Sequence, residues 1–212
     1  ENRLDAFVNA FTAAVARLYP TMAGNPDYTA IVNQRQFDRL SGDLTDAREK
    51  GARLVEINPS AETFSDTGKM PVWLVLGPTG DMAVMQEEIF GPILPVVTYR
   101  QLAEAVDYVN DRPRPLALYY FDQNRKRTQS VLGQTRSGGV CINDTLAHVA
   151  QDNLPFGGIG QSGMGAYHGE TGFLTFSKAR PVFERGRLNS TRLAWPPYGQ
   201  WIHRWLYRFL FR

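Results

Sequence analysis

The chain has 212 residues and a formal net charge of +2, with 43% hydrophobic and 21% charged residues, proportions that suit one sizeable globular domain or two small ones and exclude wholesale disorder. A single cysteine, Cys141, excludes an internal disulfide and points to a reducing compartment. No stretch reaches the roughly 20 apolar residues of a spanning helix and no secretory pattern opens the chain, so a cytoplasmic setting is expected.

In Asn2–Leu18 apolar residues recur three and four apart (Leu4, Phe7, Val8, Phe11, Ala14, Val15, Leu18), which predicts a helix with one buried face. A loop around Pro20–Asp27 precedes a second helical pattern near Arg35–Lys50, ended by Gly51. "ARLVEI" reads as a strand, Pro59–Met70 as loop, "PVWLVLG" as a second strand and "ILPVVTY" as a third. Gln101–Asn110 is an amphipathic helix stopped by Pro113 and Pro115. "LALYYF" is a near-continuous apolar run, the pattern of a strand buried on both faces. Asn124–Leu132 follows as helix and "GGVCI" as a short strand. Strands alternating with helices predict an α/β domain with a largely parallel sheet. The pattern changes to a glycine-rich loop after Asn153 and to a basic tail after Pro181, so the expected division is 1–180 as domain and 181–212 as tail.

The charge is uneven. From Pro181 to Arg212 there are six arginines and one acid, a local balance of +5, which leaves the body at −3. A mildly acidic body argues against nucleic acid as a partner.

Three stretches are candidate sites. Cys141 sits in an apolar strand with nothing in the sequence to activate its thiol, so it reads as a packed cysteine and not a nucleophile. "GIGQSG" at Gly158–Gly163 fits Gly-x-Gly-x-x-Gly, but "DNLPF" before it lacks the strand that a dinucleotide fingerprint requires. Its glycines read as a tight backbone path close to a ligand or to another chain segment. The third stretch is "MQEEIFGPILPVV". A carboxylate there could accept both hydroxyls of a ribose while Phe90 walls a flat ring; equally, Glu87 and Glu88 could be a solvated pair with Phe90 in the core.

"EEIFGP" at Glu87–Pro92 closely resembles the nicotinamide-side motif of the aldehyde dehydrogenase superfamily, and "LPFGGIGQSGMGAYHGETGFLTFSKARPV" resembles the C-terminal signature of its class 3 branch. "PLALYYF" and "SGGVCIND" lie between them in the family's order, and the similarity runs from Glu1 to Val182, most of all to the bacterial coniferyl aldehyde dehydrogenases. The resemblance implies NAD- or NADP-dependent oxidation of an aromatic or long-chain aldehyde to the acid through a cysteine thiohemiacetal. It implies that Glu88 holds the nicotinamide ribose, that Phe90 packs beside the ring, and that a homodimer forms. It places Asn143, Leu146, His148 and Phe156 along the aldehyde funnel, although an isolated histidine such as His148 is more often structural. The three histidines lack ligand spacing, so no metal is expected. In this family the nucleophilic cysteine follows a Gly-Gln motif upstream of the first helix, and the Gly133–Thr135 Gly-Gln-Thr leads to Arg136 instead. The chain, which starts at Glu1 without an initiator methionine, is therefore expected to be the C-terminal part of the catalytic domain plus its tail, inactive alone. The alternatives are a non-catalytic dimerising or membrane-interface module derived from the family, and an unrelated thiol enzyme built on Cys141.

"QWIHRWLYRFLFR" closes the chain. On a helical wheel Arg204, Arg208 and Arg212 share one edge opposite Ile202, Trp205, Leu206, Phe209 and Leu210, with Trp201 and Phe211 near the basic edge. That pattern suits peripheral contact with a membrane interface through 200–212, or docking on the protein's own body or a partner subunit.

Overall fold

The computed structural model describes residues 3–187 and 195–210. They fall into two compact units, Glu1–Arg112 and Pro113–Arg212. Asn2, Phe211 and Arg212, used in the helical patterns above, lie outside the described residues.

The first unit opens with α1 (Leu4–Leu18) and α2 (Gln34–Glu49). Helix α2 is held at both ends: the Asn33 side chain accepts from the Gln36 amide at 2.9 Å. At its other end Gly51 takes φ +91 while the Ala52 and Gly51 amides donate to Ala47 and Arg48 carbonyls. This is the double closure that a glycine after a helix permits, and it explains why the helix stops where the sequence placed its end.

Strands β1 (Arg53–Ile57), β2 (Val72–Leu76) and β3 (Ile93–Val96) form one sheet in that order, β1–β2 antiparallel and β2–β3 parallel. The first pairing is antiparallel because the Pro59–Met70 connection contains no crossover helix, so the chain simply turns back. Central β2 shows the two-residue period of a strand covered on both sides. Val72, Leu74 and Leu76 face a cluster that includes Val8, Phe11 and Val15 of α1. Trp73 and Val75 face Leu40, Leu44 and Ala47 of α2. Leu40, Leu74 and Val75 are fully buried, each worth about 1.5–3 kcal/mol relative to exposure. The predicted apolar face of α1 is only partly covered: Phe7 and Leu18 are exposed. Helix α3 (Leu102–Asn110) ends the unit.

In the second unit β4 (Ala117–Tyr120) and β5 (Gly139–Ile142) pair in parallel, with α4 (Arg125–Gln134) between them in sequence. Two of the three strand pairings among the described residues are thus parallel, in keeping with the α/β expectation. The expectation that "LALYYF" is buried on both faces is corrected: Leu116, Tyr119 and Phe121 are exposed. Among the described residues β4 has one partner strand, and Tyr119 is covered only in part, by the His148 ring at 6.0 Å. The end of β4 is fixed by Asp122, whose carboxylate takes two bonds from Arg127, at 2.6 and 2.7 Å, and one from the Tyr120 hydroxyl at 2.9 Å. Helices α5 (Gly169–Thr175) and α6 (Trp201–Leu210) complete the unit.

Truncating Leu40 to alanine should cost about 2–5 kcal/mol, read as a lowered urea midpoint for the unit that contains it. The Arg127 bonds, followed by the Asn124 amide bond, hold the Asp122 carboxyl well below the usual carboxylate range. A depressed folded pKa contributes stability above the unfolded value of about 4, and that stability is lost as pH falls below it toward the folded pKa. Asp122→Asn should therefore lower stability at pH 7 and flatten its pH dependence below about pH 4, as followed by circular dichroism during acid titration.

Candidate active site

The segment Glu87–Pro92 leaves a 3-10 turn at Ala83–Met85 and enters β3. It lies on α2, and the fit depends on residue 91 having no side chain. A Cβ at Gly91 would overlap Leu40 Cδ1, so the fully buried Leu40 side chain would have to shift to admit it. Backbone bonds hold the far side: the Trp73 amide donates to Pro92 O at 2.8 Å and the Ile93 amide to Gly91 O at 2.9 Å. Between these anchors Phe90 takes φ +49, a left-handed conformation that costs a non-glycine residue about 1–3 kcal/mol and persists only where its surroundings impose it. The result is a ring that is 71% exposed. Of the two readings of this stretch, the one that put Phe90 in the core is thus set aside.

Phe90, Glu87 and Glu88 line an open cleft of about 860 Å³ together with Val32, Asn33, Arg35, Gln36 and Arg39 from the start of α2. Glu88 is exposed and takes no hydrogen bond or ion pair among the described residues. Its neighbour across the cleft is held by three bonds. Arg39 donates from Nε to Gln36 Oε1 at 2.7 Å, from Nη1 to Asp43 Oδ2 at 3.1 Å and from Nη2 to Ile89 O at 2.6 Å. Asp43 is buried, and desolvation raises its carboxyl above the ordinary value against the opposing pull of Arg39, with Glu87 and Asp46 pushing further up.

The residues expected along an aldehyde funnel all lie in the second unit. His148 and Phe156 come together, with ring centroids 5.7 Å apart, and Tyr119, Tyr167 and His168 extend the aromatic cluster. His148 is buried, neither of its ring nitrogens has a hydrogen-bond partner among the described residues, and its Cδ2 lies 2.7 Å from where a Cβ on Gly139 would stand. Leu146, at φ +60, is exposed apart from that cluster. Asn143, at φ +57, spends its amide on the backbone of Asp122, accepting from the amide at 2.8 Å and donating to the carbonyl at 3.1 Å.

The Gly158–Gly163 stretch is a compact knot. A Cβ on Gly157 would overlap the Gly165 carbonyl and one on Gly158 the Ser162 carbonyl, while Phe156 and Tyr167 exchange two backbone bonds of 2.9 Å. No α-helix starts at its last glycine, only a 3-10 turn within it, so the glycines serve chain-to-chain approach and not a dinucleotide fingerprint. Cys141 is buried in β5 opposite Tyr119, as the packed reading expects. No group of three His, Cys, Asp or Glu side chains is placed to hold a metal among the described residues.

Gln36 and Arg39 were not singled out from the sequence. Their only signal is a three-residue spacing on the polar side of α2, which an ordinary solvated helix face shares. Tyr167 and His168 were hidden in the same way inside the long glycine-rich motif.

Residues 1–182 match the aldehyde dehydrogenase family. The chain is 53% identical to the probable coniferyl aldehyde dehydrogenase of Pseudomonas aeruginosa over 210 residues, 99% of this chain and 43% of that protein. It is 50% identical to the coniferyl aldehyde dehydrogenase of a Pseudomonas species over 206 residues, 96% of this chain and 43% of that protein. The substrate-bound structure of Staphylococcus aureus AldH matches with a TM-score of 0.81 at 37% identity, covering 99% of this chain and 44% of that one. The indole-3-acetaldehyde dehydrogenase of P. syringae, solved with NAD+ and IAA, matches with a TM-score of 0.62 at 28% identity, covering 70% of this chain and 30% of that one. The chain thus spans about two-fifths of the length of the curated relatives it matches most fully. On the family match over residues 1–182, the chain belongs to the aldehyde dehydrogenase family.

Proposed function

We propose that this chain supplies the nicotinamide-side face and part of the aldehyde funnel of an NAD(P)-dependent aldehyde dehydrogenase acting on an aromatic, coniferyl-type aldehyde or a long-chain one. The observation that carries this reading is an unpartnered Glu88 carboxylate beside an exposed Phe90 ring that a strained backbone holds outward. A carboxylate free of protein donors fits a ribose diol, which offers two hydroxyl donors, and an exposed ring fits one flank of a planar heterocycle. Bound there, the coenzyme would accept hydride from the substrate; Glu88 would anchor it and Phe90 would limit its tilt. The cysteine nucleophile and the general-base glutamate are assigned to the rest of the protein, so the 212 residues alone are inactive in this reading. Aromatic side chains around His148 and Phe156 favour an apolar aldehyde. A homodimer belongs to the same reading, supported by exposed Phe173, Leu174, Phe176, Val182 and Phe183 in the second unit.

In the full-length protein Glu88→Gln should slow hydride transfer by about ten-fold or more, the loss of roughly one strong positioning bond, with the folded state unchanged by circular dichroism. Unchanged turnover together with unchanged coenzyme affinity would remove Glu88 from this role.

A second, compatible reading concerns α6. Trp201, Trp205, Tyr207 and Phe209 are exposed alongside Arg204 and Arg208, while Ile202, His203 and Leu206 form its more buried side. Among the described residues no helix is long and apolar enough to cross a membrane, so the contact in this reading is peripheral. Vesicles containing anionic lipid should co-sediment the chain, and removal of residues 200–212 should abolish binding. Equal binding by both forms would overturn it.

A further inference from the structure

The strain at Phe90 needs a cause on both sides of the residue. On the C-terminal side Gly91 is seated on Leu40 and Pro92 is bonded to the strand that follows. On the N-terminal side the chain from Glu87 to Ile89 is exposed or half-buried. The one side-chain bond to its backbone among the described residues is the 2.6 Å bond from Arg39 Nη2 to Ile89 O. That bond holds the plane of the peptide linking Ile89 to Phe90, one peptide on from Glu88, and so restrains the loop that carries both side chains.

We propose that Arg39 is a positioning residue for the coenzyme face: its guanidinium clamps the Ile89 carbonyl and thereby aims the Glu88 carboxylate and the Phe90 ring into the cleft. The inference rests on the role proposed above for Glu88 and Phe90. Three of the five N–H donors of Arg39 are committed to protein acceptors, one of them on the loop itself, so its action on the loop is independent of any bond its remaining donors make. Gln36 and Asp43 stand one turn to either side of Arg39 on the same helix and hold the fork rigid. A planar guanidinium can serve three acceptors at fixed angles, which a lysine ammonium on a flexible stem cannot match. Helix α2 thus transmits the rigidity of the buried Leu40–Leu44–Ala47 face to an exposed loop.

The test uses the full-length enzyme with Arg39→Lys, which keeps the charge, and Arg39→Met, which keeps the length. Thr45→Gly on the exposed side of α2 is the control that weakens the helix without touching the loop. Both Arg39 variants should raise the KM for the coenzyme by about ten-fold while the aldehyde KM stays within two-fold, and Thr45→Gly should move neither. Hydrogen exchange in the coenzyme-free protein should quicken at least about five-fold at the Ile93 amide, which donates into this loop, and stay unchanged at Leu44. If Arg39→Met does not fold, Arg39→Lys alone decides. An unchanged coenzyme KM, equal rises in both KM values, or unchanged exchange at Ile93 would each overturn the clamp. Should the unaltered protein fail to oxidise any aldehyde, the coenzyme reading falls, while the exchange comparison still decides whether Arg39 holds the loop.

Discussion

The contact between Leu40 and the bare Cα of Gly91 is the constraint on which the cleft depends. Leu40 is fully buried because α2 packs closely on the sheet, and α2 can pack that closely only where the crossing chain has no side chain to interpose. Next to Gly91, Pro92 accepts the Trp73 amide, and β3 begins one residue later with Ile93 in register with Trp73. Phe90, immediately before Gly91, stands in the left-handed region. One glycine thus converts helix packing into the outward display of an aromatic ring and the carboxylate two residues before it.

Much of this was legible in the sequence because local rules and burial agreed. The period of α2 and its Gly51 stop came from spacing and capping chemistry, and the structure places the helix within a residue or two, adding the Asn33 cap that the sequence reading did not single out. "PVWLVLG" was legible because β2 is covered on both faces, so its continuous apolar pattern and its environment match. The same logic failed for "LALYYF". An apolar run reports what the sequence was selected to bury, and β4 leaves part of that run uncovered.

The candidate site was legible only in part. Glu88 and Phe90 stood out through the family resemblance, since an acid pair before a glycine-proline turn is otherwise unremarkable. Arg39 did not, because its contact with Ile89 spans 50 positions of sequence and no local pattern encodes it. His148 and Phe156 lie eight positions apart, yet their meeting depends on the glycine knot that follows Phe156 and on the absence of a side chain at Gly139. Such positions look like ordinary loop glycines until the partner chain segment is known.

The uncovered side chains of β4 carry a practical consequence. Among the described residues β4 and β5 pair only with each other, bordered by exposed Tyr119, Phe121 and Ile142, and an open ladder edge of this kind can accept a further strand. A strand laid along either edge would pair with those backbone groups and cover the rings beside them.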